Sequence, residues 1–205
     1  GCCMAIIPML ILGAIAVYNA TSSIEKETKQ QIMMMSKSVA DMVDSVMVSE
    51  SNAMAMLAQN ARIIQAAEEV NAGGQPQNLN SLLKELAHVQ TIAKGRYDFI
   101  AITSKNGVTF ADSVNGAAHG IDIHDRDYFK KVLQGQASME SVIISRKSNE
   151  PICSIAYPLK NEAGEVVGAM LGLMKVSFFQ SKMGEIKLGA SGYPYMINKN
   201  GVVIV

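Results

Sequence analysis

The 205 residues carry 18 basic and 18 acidic side chains, a balance that gives no electrostatic basis for a nucleic-acid partner. Three cysteines, Cys2, Cys3 and Cys153, supply neither a disulfide framework nor a metal-ligand spacing. No glycine-rich phosphate loop or spaced Cys/His set appears, so the chain is expected to bind without a cofactor or metal and not to catalyse.

Residues 1–24 hold no charged side chain. The run from Cys2 to Ala20 has about the 20 residues that cross the hydrocarbon core, and membrane helices tolerate Pro8 and Gly13. The spacing predicts a transmembrane helix; the other reading is a signal peptide with Ala14-Ile15-Ala16 as its cleavage site.

From Thr21 to Val70 there is no Gly or Pro, and the apolar spacing is helical. With Ile32 at position a, the a positions continue through Val39, Val46, Ala53 and Asn60. The d positions are Met35, Met42, Ser49, Met56 and Ile63. Val43, Leu57 and Ile64 widen the stripe. One long helix over residues 21–70 is expected, with Met35, Val39, Met42 and Val46 on a buried face. The stripe fits a homodimer seam or packing on its own domain, and a widened stripe permits both.

Asn71-Ala72-Gly73-Gly74-Gln75-Pro76 supplies turn chemistry, and residues 78–94 read as a shorter helix with Leu79, Leu82, Leu83, Leu86 and Val89 on one face. After Gly95 the period shortens. Residues 99–103 and 108–111 form strands joined by a Lys105-Asn106-Gly107 turn. Asp125 is expected to cap a helix over 126–134, stopped by Gly135. Strands follow at 139–146, 151–159 and 165–177. The sum is an α+β fold, a mainly antiparallel sheet of about five strands with helices on one side. The strand-to-turn pattern Ile102–Val108 recurs at Met196–Val202, which suggests a second copy of the hairpin opening a second module.

These elements, with Asp125-Arg126-Asp127-Tyr128-Phe129, the following Lys130–Gly135 and Ile144-Ser145-Arg146, resemble the double Cache family. Those are extracytoplasmic sensor domains built of two stacked PAS-like modules. The resemblance implies a transmembrane helix at 1–24, a long ascending helix at 25–71, a membrane-distal module at 72–181, and the start of a membrane-proximal module at 182–205. Chemotaxis transducers (methyl-accepting chemotaxis proteins) of a bacterial inner membrane are the receptors this arrangement is most similar to. A histidine kinase, a cyclic-dinucleotide enzyme, or a structural membrane-anchored domain without a ligand are the other outputs.

In family members that bind amino acids, an Arg-x-aromatic-aromatic triplet grips the ligand carboxylate. Residue by residue this implies Arg126, Tyr128 and Phe129, with help from Ser145 and Arg146. A guanidinium offers a carboxylate a bidentate fork, and aromatic rings supply apolar walls. The bland alternative pairs Arg126 with Asp125 or Asp122 and uses the rings to dock the helix. The amine-binding acids of those members are missing: Ile143-Ile144-Ser145 stands where they carry Tyr-x-Asp, and no acid lies between Val166 and Met174. A desolvated ammonium needs an anion. The expected ligand is therefore a small carboxylate or other polar molecule and not a standard α-amino acid. His119, Asp122, His124 and Asp125 are dense enough to suggest a metal, but loop residues of these types ahead of a helix more often act as caps. Cys153, in an apolar strand, reads as a packed thiol.

Overall fold

The computed structural model describes residues 2–184 with Gly192, Tyr195, Met196 and Ile197; the side chains of residues 2–8, 10 and 141 lie outside that description. Helix α1, Cys2–Ala58, is followed by α2, Ala61–Asn71, and α3, Leu79–Ile92. The single helix expected over residues 21–70 is therefore broken. Asn60 adopts an extended backbone, and its Oδ1 accepts the Arg62 amide at 3.0 Å, which starts a new helix. Asparagine is among the strongest N-capping residues, and here the cap overrides a continuous apolar stripe. Of the residues expected on the buried face, Val39, Met42 and Val46 are half-buried, while Met35 is exposed in the single chain.

Among the described residues no helix is long and apolar enough to cross a membrane. Of the stretch expected to do so, residues 1–24, residues 2–24 form the first turns of α1, and several of their side chains fall outside the description. The second module expected from residue 182, with its Lys199-Asn200-Gly201 hairpin, also lies largely outside the described residues.

Strands β1 (Tyr97–Ser104) and β2 (Thr109–Asp112) form the expected hairpin, with Gly107 at φ +83 in its turn. A Cβ there would lie 2.8 Å from the His124 amide nitrogen and 3.0 Å from the Phe129 ring, so glycine also lets the next loop pass close by. Helix α4 (Asp127–Leu133) leads to β3 (Ser138–Ile144), β4 (Pro151–Lys160), β5 (Val166–Lys175) and α5 (Val176–Gly184). The last residues expected in strand β5 instead open this helix. The five strands form one antiparallel sheet in the order β2-β1-β5-β4-β3, so β1 and β5 pair at its centre.

Helices cover both faces of the sheet, where one face had been expected. Strands β1 and β5 are apolar on successive residues, not alternate ones, and such strands need cover on both sides. Tyr97, Ile100, Ile102, Ile155, Leu159, Met170 and Met174 point toward α1, α2 and α3. Phe99, Ala101, Ile152, Ala156, Ala169, Leu171 and Leu173 point toward α4 and its preceding loop. On the first face Glu50 of α1 is buried, and its carboxylate accepts from both the Arg96 guanidinium and the Tyr97 hydroxyl. Arg96 also lies over the Phe178 ring of α5 at 5.7 Å, so one arginine ties α1, β1 and α5 together.

Candidate functional site

The site expected from sequence lies on the α4 face. The loop ahead of α4 is folded around the buried Asp112, whose carboxylate accepts the amides of Val114 (2.8 Å), Gly116 (2.9 Å) and Ala118 (3.1 Å). Asp125 was expected to cap α4, but Arg126 occupies the N-cap position with an extended backbone and no side-chain cap bond. Asp125 is drawn away by Arg146, whose Nη2 approaches its Oδ2 at 2.6 Å and holds this carboxyl below the usual aspartate range. Arg146 also donates to the Asp122 carbonyl. The Asp125 carboxylate is thus taken by Arg146 and that of Asp122 by His124, which leaves Arg126 to other contacts.

Arg126 Nη2 donates to the Ile144 carbonyl at 2.8 Å, joining the start of α4 to the end of β3. Its Nε is buried and has no hydrogen-bond partner. Tyr128 and Phe129 are both core residues, 2% and 0% exposed, packed with Ile123, Val132 and Ile152. Burial pushes the Tyr128 hydroxyl up to about 12, so it is neutral at physiological pH. The structure therefore places Arg126, Tyr128 and Phe129 on one side of the sheet. Ser145 serves elsewhere: its Oγ donates to Asp98 Oδ2 at 2.6 Å, and Asp98 also accepts from Ser148 (2.9 Å) and Lys147 (3.4 Å).

Two residues that sequence reasoning passed over belong to the same face. Ser138 pairs with Ala156 across β3 and β4, and Glu140 pairs with Ser154. Paired residues in an antiparallel ladder share a face, and Ala156 packs with the α4 aromatics. Ser138 and Ser154 are buried, and neither hydroxyl has a hydrogen-bond partner. Their signal in the sequence was a serine inside an otherwise apolar strand, most visible in Ile152-Cys153-Ser154-Ile155-Ala156. Glu140 is approached by Lys131 Nζ of α4 at 3.7 Å.

A cleft of about 330 Å³ opens beside Asp98, lined also by Ser148, Glu150, Lys175, Ser177 and Gln180. Another, of about 370 Å³, lies near the α1–α2 break between Gln59, Ile64, Tyr157 and Lys160. Neither is lined by Arg126, Tyr128 or Phe129. Among the described residues no group of three or more His, Cys, Asp or Glu could hold a metal ion. The His124 ring lies 2.8 Å from Asp122, whose carboxyl is lowered chiefly by accepting the His124 backbone amide. Cys153 is buried, and burial raises its thiol to about 11, which keeps it protonated.

A family model described as a Cache domain matches residues 19–205. No curated protein matches the chain. Among solved structures, the ligand-binding domain of the Pseudomonas fluorescens chemoreceptor CtaA in complex with L-serine is similar, with a TM-score of 0.66 at 18% identity over 88% of this chain and 73% of that one. The sensor domain of the V. cholerae histidine kinase DctB gives a TM-score of 0.59 at 18% identity, over 74% of this chain and 59% of that one. The ligand-binding domain of the Campylobacter jejuni chemoreceptor Tlp3, in complex with 4-methylisoleucine, gives 0.61 at 11% identity, over 83% of this chain and 64% of that one. The chain thus spans less than two thirds of the DctB and Tlp3 domains, and at these identities the likeness is one of fold.

Proposed function

The chain belongs to the Cache domain family, and from that premise we propose that it is the extracytoplasmic sensing part of a membrane receptor, binding a small carboxylate or polar molecule beneath α4. The buried Arg126 Nε carries this reading, because an N–H removed from water without a partner is costly unless something arrives to accept from it. A carboxylate fits, since a guanidinium edge presents parallel donors to it. The solved relatives include complexes with L-serine and 4-methylisoleucine. An ammonium lacks an evident anchor here. Leu173 is buried in the α4-side core, Asp112 is held by three amides, and Glu140 is approached by Lys131.

The output we favour is chemotaxis, on the likeness to chemoreceptor domains; the likeness to DctB supports a histidine kinase as the second reading. Residues 1–24 are the membrane anchor in this proposal, and the stripe of Ile32, Met35, Val39 and Met42 on α1, exposed or half-buried in the single chain, is the seam of a homodimer. Cysteine cross-linking along α1 tests the seam, with a period near 3.5 as the supporting result.

The binding claim is tested by calorimetry of the purified chain against a panel of carboxylic acids. Loss of a charge-assisted hydrogen bond weakens binding by about 10–150-fold, and Arg126→Ala is expected to show that loss with the fold intact. Arg126→Lys should restore only part of it. Full affinity in the alanine variant, or a preference for ordinary amino acids, would show that the site or its chemistry is misplaced.

A further inference from the structure

We infer that Ser154 forms the second half of the Arg126 site and reads a hydroxyl on the ligand, so that the site takes a 3-hydroxy carboxylate in preference to the same acid without the hydroxyl. This rests on the reading of Arg126 as the carboxylate anchor. Ser154 is 0% exposed and Ser138 6%, and both hydroxyls are buried without a partner. Buried polar groups in folded proteins are nearly always paired, so orphaned serine hydroxyls on the face that also carries an orphaned guanidinium nitrogen are an exception; Thr103 Oγ1, paired with Ala169 on the same face, is a further orphan.

The sheet register gives the separation along β4 between the Arg126 anchor and Ser154. Arg126 is anchored on the carbonyl of Ile144, which pairs with Pro151 of β4. Ser154 lies three residues further along β4, roughly 10 Å at strand pitch. Subtracting a hydrogen bond of about 2.8 Å at each end leaves roughly 4–5 Å between the ligand atoms that are gripped. That span suits a carboxylate and a hydroxyl on the carbon two removed from it. A ligand hydroxyl both donates and accepts, so it can satisfy Ser154 in either role. An ammonium cannot accept, and an alkyl chain satisfies neither.

The test is calorimetry of the full chain with two acid pairs, 3-hydroxybutyrate against butyrate and malate against succinate. The expected result is a preference of about tenfold for the hydroxylated member, the worth of a neutral hydrogen bond. Ser154→Ala should abolish that preference while butyrate and succinate keep their affinity. The same variant, without ligand, should raise Tm, because it removes an unsatisfied buried hydroxyl; a serine engaged in the fold would lower it. Equal binding of both members, a preference that survives Ser154→Ala, or a fall in Tm overturns the inference and leaves Arg126 as the carboxylate anchor. Binding that is indifferent to Arg126→Ala, or no binding of any of the four acids, takes down both.

Discussion

The two faces of the sheet solve the same problem differently. On the α1 side the buried charge at the centre is matched, with one carboxylate, Glu50, accepting from Arg96 and Tyr97, and Asn78 Oδ1 at the start of α3 is the one buried side-chain atom described there without a partner. On the α4 side Phe129 and Val132 are as fully buried, yet Arg126 Nε, Thr103 Oγ1, Ser138 Oγ and Ser154 Oγ are left without partners. A face whose central groups are satisfied behaves as scaffold. A face that keeps unpaired donors sacrifices stability, and proteins keep such strain where a function depends on it.

The contrast is most open to attack at Glu50. Glu50→Ala strands a partly buried guanidinium and a buried tyrosine hydroxyl, and should lower the unfolding free energy by about 3 kcal/mol. Chemical denaturation measures this, and a change within error would mean that the α1 face is no better satisfied than the other. The sign should be opposite to that of Ser154→Ala.

Alkaline titration probes both faces together. Burial raises Tyr97 and Tyr128 from 10 to about 12, with Arg96 and Arg126 partly offsetting the rise. The unfolded chain releases these protons near pH 10, before the folded chain does. Stability should therefore be flat in these groups below pH 10 and fall as pH rises from 10 through 12, by about 3 kcal/mol in all for each tyrosine. Ultraviolet titration reads the hydroxyls directly. A Tyr128 that ionises near pH 10 would mean that water already enters the α4 face.

Gly172→Ala sharpens the comparison on the scaffold side. A Cβ there would lie 2.9 Å from Met54 Sδ and 3.1 Å from the Tyr97 ring. The methionine can yield and the ring less readily, so a loss of about 1–2 kcal/mol is expected in thermal unfolding. Asn60→Ala should cost least, about 1 kcal/mol for a lost helix cap. If Asn60→Ala leaves stability unchanged, the cap is not what holds the α1–α2 break.

Local chemistry made most of the elements legible. The Asn106-Gly107 turn, Gly135 after α4 and the apolar runs of β4 and β5 mark their own boundaries. Asn60 escaped because the apolar residues on both sides keep helical spacing across it, and one side-chain oxygen decides the break. The face that carries the proposed site was legible only in Arg126-x-Tyr128-Phe129. Ser138 and Ser154 become neighbours through a β3–β4 register that contains an irregularity between Glu140 and Ile143, and no spacing within one strand reveals it. Ser145 was named from its sequence context, but its bond to Asp98, 47 residues away in the chain, was not legible there. Arg146 and Asp125 form a pair across two loops, and Asp125 is drawn from the capping role expected of it.

The packing of α1 has a mechanical consequence. Only its later turns, from Val43 onward, pack against the core, while the side chains described from Met9 to Ser38 are exposed in the single chain. Some forty residues of α1 lie ahead of a fulcrum whose clamp is Glu50, with Arg96 and Tyr97 gripping it. At 1.5 Å per residue that arm is roughly 60 Å long, so a tilt of about one degree at the clamp moves the far end by roughly 1 Å. Leverage on this scale lets a sub-ångström adjustment within the sheet arrive at the other end of the helix as a displacement comparable to those that switch helix packing.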